Sequence, residues 1–360
     1  MRLPKSNKIV AEKYVAGLSQ FKDKTVNIKL SANESALGPS PKAIKEYLRL
    51  SKNFKRYPDS EGINLRKALA KKFKLDPNKI ILGSGSDQIL ELICKAFLKK
   101  GDQVVVPKYS FLIYRLYSQM NGAKILYSKE KNFTVSVDDI LKKVTKKTKI
   151  VFLANPNNPT STYIDKKKLL FLRKRLRSNI LLVVDDAYFE YVNQKDYSSG
   201  LQLFSNFKNV VVTRTFSKIY GLAGLRVGWG YGSKEIINSL NQIKPPFNIN
   251  SPALSAADAA IKDHVWLNKE IKHVKKWNDK FYKEFKKMNI ETNKSFTNFL
   301  LINFDKVKKN SSKIFELLAD AGILVRKMNN YNIKNSLRVT IGKNDENKKL
   351  ILKLKKAINV

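Results

Sequence analysis

The stretch IILGSGSDQILELICKAFLKKGDQVVVP, residues 80–107, decides the fold. It begins with a short apolar run at 80–82, passes through a glycine-rich turn, and ends in a second apolar run at 104–106. Between the two runs, residues 86–100 carry apolar side chains three and four positions apart, as on one face of a helix that Ser86 could cap. Strand, turn, helix and strand in this order predict an α/β fold with buried parallel strands.

The same alternation continues along the chain. Further buried strands are expected at 150–154, 180–184 and 210–212, because each is a short apolar run with room for a helix before the next. From about residue 255 the pattern changes to a long lysine-rich helix through His264 and His273. Strand-like segments follow at 299–304 and 336–341.

These patterns predict two unequal domains. We expect an N-terminal arm over residues 1–40 that joins the smaller domain, and a large domain over 41–254 with a mostly parallel central sheet. The smaller α/β domain is expected over 255–360. A chain of 360 residues with 43% apolar residues can bury cores of this size.

The formal net charge of +40 is the strongest feature of the composition. Clustered lysine and arginine attract phosphates, so a nucleic-acid-binding protein built on an enzyme scaffold is an alternative interpretation. The 58 lysines and 12 arginines, however, are spread along the whole chain, and neither end resembles a DNA-binding module. We therefore expect no nucleic-acid partner and no membrane partner.

Cysteine and histidine are scarce. Cys94 is the single cysteine, so a disulfide within the chain and a cysteine-rich metal site are excluded, and a reducing compartment fits. Two histidines in one lysine-rich segment do not favour a metal site or a histidine-based catalytic triad. The N-terminal residues show no apolar core of signal-peptide length, and the sequence predicts a cytoplasmic protein without a bound metal.

Polar clusters follow directly after each of the five predicted strands. Because ligands of open α/β sheets bind at the carboxyl ends of the strands, these clusters are expected to form one shared site. The glycine-rich turn also precedes a helix, where backbone N–H groups and the helix dipole suit a phosphate. The glycines at 221–232 do not open a helix after a first strand, so a nicotinamide site is not predicted. The clusters are GSGSD (83–87), PKY (107–109), NPNNPT (155–160), DDAY (185–188) and TRTFSK (213–218).

The segment TFSKIYGLAGLRVG, residues 215–228, joins a lysine, two hydroxyls and an arginine eight residues after the lysine. With it, the chain resembles the type I pyridoxal-phosphate aminotransferases, and in particular the histidinol-phosphate aminotransferase family. The resemblance extends nearly end to end. It is carried further by NE (33–34), GPSPKA (38–43), YPD (57–59), GSD (85–87), NPNNPT (155–160), PFNINS (246–251), VR (325–326) and LRVTIG (337–342).

The resemblance implies roles for individual residues. Lys218 would carry pyridoxal 5'-phosphate as a Schiff base and then act as general base and acid. Asp185 would pair with the pyridine nitrogen of the cofactor. Asn158 and Tyr188 would hydrogen-bond its phenolic oxygen, and Tyr109 would lie against its ring.

Other residues would hold the anionic groups. The cofactor phosphate is expected to be held by Thr215, Ser217 and Arg226, by backbone groups at Ser84 and Gly85, and by the hydroxyl of Tyr57. In the family this tyrosine comes from the other subunit, which implies a homodimer. The substrate would be bound by Arg338 and Arg326, with Tyr14 and Asn33 from the N-terminal arm.

The implied reaction exchanges an amino group between L-histidinol phosphate and 2-oxoglutarate in histidine biosynthesis. An aminotransferase for aromatic or other amino acids is one alternative. A phosphothreonine-type decarboxylase is another, because related chains keep the same lysine and aspartate while they cleave a different bond.

Overall fold

The structure, a computed structural model, describes residues 14, 18, 20, 21, 25–50, 52 and 55–359. The segment 1–13, for which the sequence predicts no signal peptide, lies outside the described residues. The α-helices within them are α1 (Pro41–Leu50), α2 (Ile63–Phe73), α3 (Gly85–Phe97), α4 (Leu112–Met120), α5 (Val137–Lys143), α6 (Lys166–Arg175), α7 (Gly200–Phe204), α8 (Lys234–Ile243), α9 (Ser251–Lys262), α10 (His264–Lys287), α11 (Ser311–Asp320) and α12 (Asn344–Asn359).

The β-strands alternate with these helices in the first two thirds of the chain. They are β1 (Ile28–Lys29), β2 (Ile80–Gly83), β3 (Gln103–Pro107), β4 (Lys124–Ser128), β5 (Glu130–Lys131), β6 (Thr134–Val135), β7 (Thr148–Ala154), β8 (Leu181–Asp185), β9 (Val210–Thr215), β10 (Gly228–Tyr231), β11 (Glu291–Thr292), β12 (Phe299–Asn303), β13 (Ile323–Leu324), β14 (Arg326–Lys327) and β15 (Ser336–Thr340).

A seven-stranded sheet of order β2-β10-β9-β8-β7-β3-β4 forms the centre of the larger unit. Strands β4, β3, β7, β8 and β9 pair in parallel, which confirms the predicted mostly parallel sheet. The expectation for 80–82 needs a correction, because β2 lies at the edge and pairs with β10, which is antiparallel to it. Strand β10 was not predicted from the sequence, because its Gly228 and Gly230 are typical of loops.

Helices cover both faces of this sheet, and alternate strand residues fill two cores. Val105, Val151 and Leu153 pack on one face, in the same cluster as residues of α2, α6 and α9. Val104 and Phe152 pack on the other face, with residues of α3, α4 and α8. A fully buried side chain of this kind contributes about 1.5–3 kcal/mol. The helices therefore fix the strand ends that carry the polar clusters.

A four-stranded antiparallel sheet of order β11-β12-β15-β14 lies in the C-terminal part. Its core includes Trp277, Phe281 and Phe285 of α10, and Ile28 and Leu30 of the N-terminal arm belong to the same cluster. The expected boundary after residue 254 falls inside α9, whose Ala256 and other buried residues pack in a core of the larger sheet. We therefore propose that the larger unit extends to the end of α9.

Candidate active site

A cavity of about 350 Å³ opens at the carboxyl ends of β7, β8 and β9, where the sequence predicted a shared site. It is also lined by residues of the arm and of the C-terminal sheet. Of the predicted site residues, the cavity brings together Tyr14, Asn33, Asn158, Asp185, Tyr188, Thr215, Ser217, Lys218, Arg226, Arg326 and Arg338. Ser84, Gly85, Tyr109 and Tyr57 are not part of this lining.

Lys218 lies on the turn that follows β9, with its side chain in the cavity. Its Nζ is 3.4 Å from the carbonyl oxygen of Ala32 and 5.8 Å from the ring centre of Tyr188. Desolvation, with the positive charge of Arg338 adding to it, lowers the pKa of Lys218 to about 8. The amine can therefore take up and release a proton near neutral pH.

Asp185 is the last residue of β8 and is 5% exposed. Its Oδ2 accepts a hydrogen bond of 2.7 Å from the hydroxyl of Tyr114, and its Oδ1 accepts one of 3.2 Å from the backbone N–H of Ala187. Burial raises the pKa of Asp185 to about 6, while the Tyr114 hydrogen bond opposes that shift. No sequence pattern indicated Tyr114, because the two residues are 71 positions apart.

Asp186 points to the opposite side of the strand from Asp185. It forms an ion pair of 3.3 Å with Arg214, and both side chains are almost fully buried. The backbone N–H groups of Gly200 and Leu201 also donate to its carboxylate. These contacts give Asp186 a structural role. They also hold β8 and β9 in register, because Asp186 and Arg214 are the sequence neighbours of Asp185 and Thr215.

Asn158 and Tyr188 both line the cavity and are connected to other elements. The Asn33 side-chain amide donates a hydrogen bond of 3.0 Å to the Tyr188 hydroxyl. Asn33 also accepts a 3.3 Å hydrogen bond from Thr340 of β15. Arg338 donates to the side-chain oxygen of Asn158. Burial raises the pKa of Tyr188 to about 12, so its hydroxyl stays protonated and can donate.

The other end of the cavity offers donors to an anion. Arg226 donates to the Ser217 hydroxyl at 3.2 Å and is 3.4 Å from the Asp87 carboxylate. The first residues of α3 lie beside them, and their N–H groups have no partner within the helix. Of these, Ser86 and Asp87 line the cavity.

Ser84 and Gly85, whose backbone groups are predicted to contact a phosphate, lie at the start of α3. Ser84, not Ser86, is the residue before the first turn of α3, and its N–H donates to the Gln88 side chain at 2.8 Å. Gly85 has a φ of +76°, and a Cβ there would be 2.3 Å from a guanidinium nitrogen of Arg226. Gly85 therefore makes room for Arg226, and the N–H groups of Ser86 and Asp87, which line the cavity, are further candidates for holding a phosphate.

Tyr109 does not lie at the cavity. Its ring packs at 5.8 Å against Phe133, and the cavity is lined instead by Phe111, which is the residue before α4. Phe111 is thus the better candidate for contact with a cofactor ring. Tyr57 is 82% exposed and stacks at 4.6 Å on Phe247, away from the cavity of its own chain.

Two arginines define the remaining wall. Arg326 of β14 and Arg338 of β15 are directly paired across the C-terminal sheet, and both are buried. Arg338 donates to the Ser31 carbonyl at 3.2 Å, and its buried Nε has no hydrogen-bond partner among the described residues. Within the described ranges, Arg338 forms no ion pair with a carboxylate. Tyr331, which the sequence analysis did not single out, also lines this wall.

Neither a metal site nor a membrane span is found in the described part of the chain. Its His, Cys, Asp and Glu side chains form no group of three or more that could hold a metal ion. Every helix among the described residues is too short or too polar to cross a bilayer.

Comparison with known proteins identifies the family. The family model for aminotransferase class I and II matches residues 25–354, and the chain belongs to this family. It is 52% identical over 360 residues to a histidinol-phosphate aminotransferase of Pelagibacter ubique (strain HTCC1062), with 100% of both chains covered. It is 42% identical to one of Rhodopseudomonas palustris (strain BisA53), over 91% of this chain and 90% of the relative. The resemblance stated from the sequence is confirmed.

Solved structures confirm the fold. A histidinol-phosphate aminotransferase of Sinorhizobium meliloti in complex with pyridoxal-5'-phosphate superposes with a TM-score of 0.87 at 24% identity, covering 93% of this chain and 92% of that chain. An aspartate aminotransferase of Thermotoga maritima gives a TM-score of 0.83 at 22% identity, covering 94% and 93%. At these identities the likeness shows the fold alone.

Proposed function

We propose that this chain exchanges an amino group between L-histidinol phosphate and 2-oxoglutarate, in histidine biosynthesis, with pyridoxal phosphate held on Lys218. One observation carries the proposal: a single cavity contains an amine of lowered pKa, a buried carboxylate and two paired arginines. The full-length relative at 52% identity, which is named a histidinol-phosphate aminotransferase, supports the substrate.

The residues present fit pyridoxal phosphate. Backbone N–H groups at the start of α3, together with Ser217 and Arg226, form a cradle for a phosphate. The cradle depends on Gly85, since a side chain there would displace Arg226. Asp185 offers a buried carboxylate to a ring nitrogen, and Asn158 and Tyr188 offer polar groups to a ring oxygen. We assign all of these residues to cofactor binding.

When bound, pyridoxal phosphate supplies a conjugated ring that takes up the electron pair left on the reacting carbon after loss of its proton. Lys218 Nζ moves that proton: its lowered pKa leaves part of the amine uncharged near neutral pH, ready to accept. Asp185 would hold the proton on the ring nitrogen. Tyr188 would donate a hydrogen bond to the ring oxygen and keep its proton, because its pKa is raised.

The arginine wall would bind the substrates. A planar guanidinium can grip a phosphate and a carboxylate in the same bidentate way, so one pocket can serve both half-reactions. The unpartnered Nε of Arg338 shows donor capacity that the described residues leave unused. Tyr14, which is 43% exposed, would close this pocket from the arm, and Asn33 would hold the arm against Tyr188.

The same proposal includes a cytoplasmic homodimer. Tyr57 and Phe247 form an exposed aromatic pair, and Ile44 and Leu48 of α1 are also exposed. A second copy that covers these side chains would account for their exposure, and it could bring its Tyr57 to the phosphate cradle. The biosynthetic reaction and the single buried cysteine, Cys94, support a cytoplasmic location.

A panel of amino donors tests the substrate. The purified protein would be loaded with pyridoxal phosphate and mixed with L-histidinol phosphate, phenylalanine, tyrosine or aspartate, and each resulting oxo product would be measured with 2-oxoglutarate as acceptor. We expect the highest kcat/KM for histidinol phosphate. Preference for an aromatic amino acid would leave an aminotransferase but refute the substrate, and release of carbon dioxide would point to a decarboxylase.

A further inference from the structure

Tyr114 is placed to control the carboxylate of Asp185. Its hydroxyl donates to Oδ2 at 2.7 Å, from a side chain that is 1% exposed. The ring lies parallel to Phe152, with 5.0 Å between centres and 1° between planes, and Phe111 packs edge-on at 5.7 Å. These contacts fix the direction of the hydroxyl, so the hydrogen bond cannot be lost by a simple rotation.

Negatively charged neighbours of Asp185 oppose its ionisation, and the hydrogen bond from Tyr114 favours it. The negative charges of Asp87 on α3 and of Asp186, directly after β8, add to the desolvation that raises the pKa of Asp185 to about 6. The Tyr114 hydrogen bond lowers it, as does the neighbouring Thr213 on β9. Tyr188, which stays protonated, also lies near Asp185, and Lys218 lines the same cavity.

The phenol itself cannot compete for the negative charge. Burial and the adjacent Asp185 raise the pKa of Tyr114 well above 10, so its hydroxyl remains a donor at all working pH values. A carboxylate has about four lone-pair positions; Tyr114 and Ala187 donate to two of them, and the Thr213 side chain lies close enough to occupy a third. Asp185 therefore keeps the capacity to accept from a further donor in the cavity.

We propose that Tyr114 is a positioning residue that keeps Asp185 ionised and aims it at the ring nitrogen of the cofactor. The proposal rests on the proposed function, because it concerns the same site. Without the hydroxyl, the buried carboxylate would hold its own proton more tightly. The ring nitrogen would then lose its partner charge, and the ring would accept electrons less well.

The first test uses the protein without cofactor. Aspartate residues would be labelled with ¹³C at the side-chain carboxyl, and the resonance lost in Asp185→Asn would be followed against pH. A charged hydrogen bond contributes about 1.5–3 kcal/mol, so Tyr114→Phe should raise the pKa of Asp185 by roughly one to two units. Tyr191→Phe is the matched control, since the Tyr191 hydroxyl is also buried but finds no hydrogen-bond partner within the described ranges. An unchanged Asp185 titration in Tyr114→Phe would overturn the proposal.

The second test is a double-mutant cycle on the enzyme loaded with pyridoxal phosphate. Tyr114→Phe should lower kcat on the order of 10-fold with KM nearly unchanged, because one pKa unit corresponds to a factor of ten. Added to Asp185→Asn, the same substitution should cost nothing further. If Tyr114→Phe lowers activity equally in both backgrounds, its role is packing rather than control of Asp185, and the proposal fails.

The two proposals fail in different ways. If the parent protein takes up pyridoxal phosphate but no tested donor reacts, the proposed substrate is wrong, while the carboxyl titration still decides the role of Tyr114. If the parent protein takes up no pyridoxal phosphate, the proposed function falls. If uptake and turnover are normal and Tyr114→Phe behaves like Tyr191→Phe, only the inference about Tyr114 falls.

Discussion

Replacing Arg338 by lysine should weaken both half-reactions by a similar factor. The guanidinium donates through Nη1 to Asn158 and through Nη2 to the Ser31 carbonyl at 3.2 Å, and in the described part of the chain its Nε has no hydrogen-bond partner. Lysine keeps the charge but has one nitrogen, so it cannot keep these contacts and also grip an anion at two points. Losing one charged hydrogen bond to the substrate anion, and leaving one buried acceptor of the protein without its donor, costs roughly 2–4 kcal/mol of binding free energy.

That free energy corresponds to a fall of roughly 30- to 1,000-fold in kcat/KM. Single-turnover measurements would follow each half-reaction separately, with L-histidinol phosphate and then with 2-oxoglutarate. Cofactor uptake should remain close to that of the parent, because Arg338 contacts one cofactor-binding residue, Asn158, whereas Asp185 and the phosphate cradle are held by other partners. If Arg338→Lys turns over both substrates as fast as the parent, Arg338 is not the shared anchor.

Arg173→Lys is the matched control for loss of a buried guanidinium. Arg173 is 4% exposed and does not line the cavity. It donates to four backbone carbonyls, those of Leu176, Arg177, Ile180 and Asn209. The substitution should lower the melting temperature while leaving kcat/KM unchanged in the folded protein. A large loss of kcat/KM in this control would show that general destabilisation, rather than the anion contact, explains the result for Arg338.

Three further predictions concern the cofactor site. In the protein without cofactor, amine-specific labelling followed by mass spectrometry should show Lys218 reacting with a midpoint near pH 8, whereas surface lysines react only at higher pH. The amine is uncharged above its pKa, so its reactivity must rise with pH. A midpoint near 10.5 would contradict the lowered pKa of Lys218. Gly85→Ala should weaken pyridoxal phosphate binding at least 10-fold, because the added Cβ would displace Arg226. Gly101 also has a positive φ, +92°, but open space around it, so Gly101→Ala should leave binding intact. Equal losses of binding in both variants would refute the steric argument. Tyr57→Phe and Lys218→Ala, each inactive alone, should partly recover activity when their subunits exchange, and absence of recovery despite demonstrated exchange would count against a site shared between subunits.

Much of the architecture could be predicted because strand periodicity is local. The five apolar runs are strands within a few residues of the predicted bounds. A short run of buried residues between two turns usually forms a strand. Strand β10 was not predicted because Gly228 and Gly230 are poor strand formers. The structure explains them: a Cβ at Gly228 would be 2.2 Å from the backbone nitrogen of Ser86, so the strand passes where only glycine fits.

The site could be predicted only to within a turn. Whether Tyr109 or Phe111 faces the cavity depends on how the loop between β3 and α4 turns, which no local pattern specifies. Likewise, α3 begins at Gly85, one residue before the expected range of 86–100. Ser86 and Asp87 in its first turn line the cavity. Tyr114 could not be predicted at all, since its contact with Asp185 arises from packing between distant elements.

Borohydride reduction of the protein loaded with pyridoxal phosphate shows which lysine carries the cofactor. Reduction fixes the cofactor to the amine that carries it, and digestion followed by mass spectrometry locates it among the 58 lysines. We predict one modified lysine, Lys218, and loss of the visible absorption band and of the modification in Lys218→Ala. A cofactor fixed to a different lysine, or an absorption band that persists in Lys218→Ala, would contradict the account.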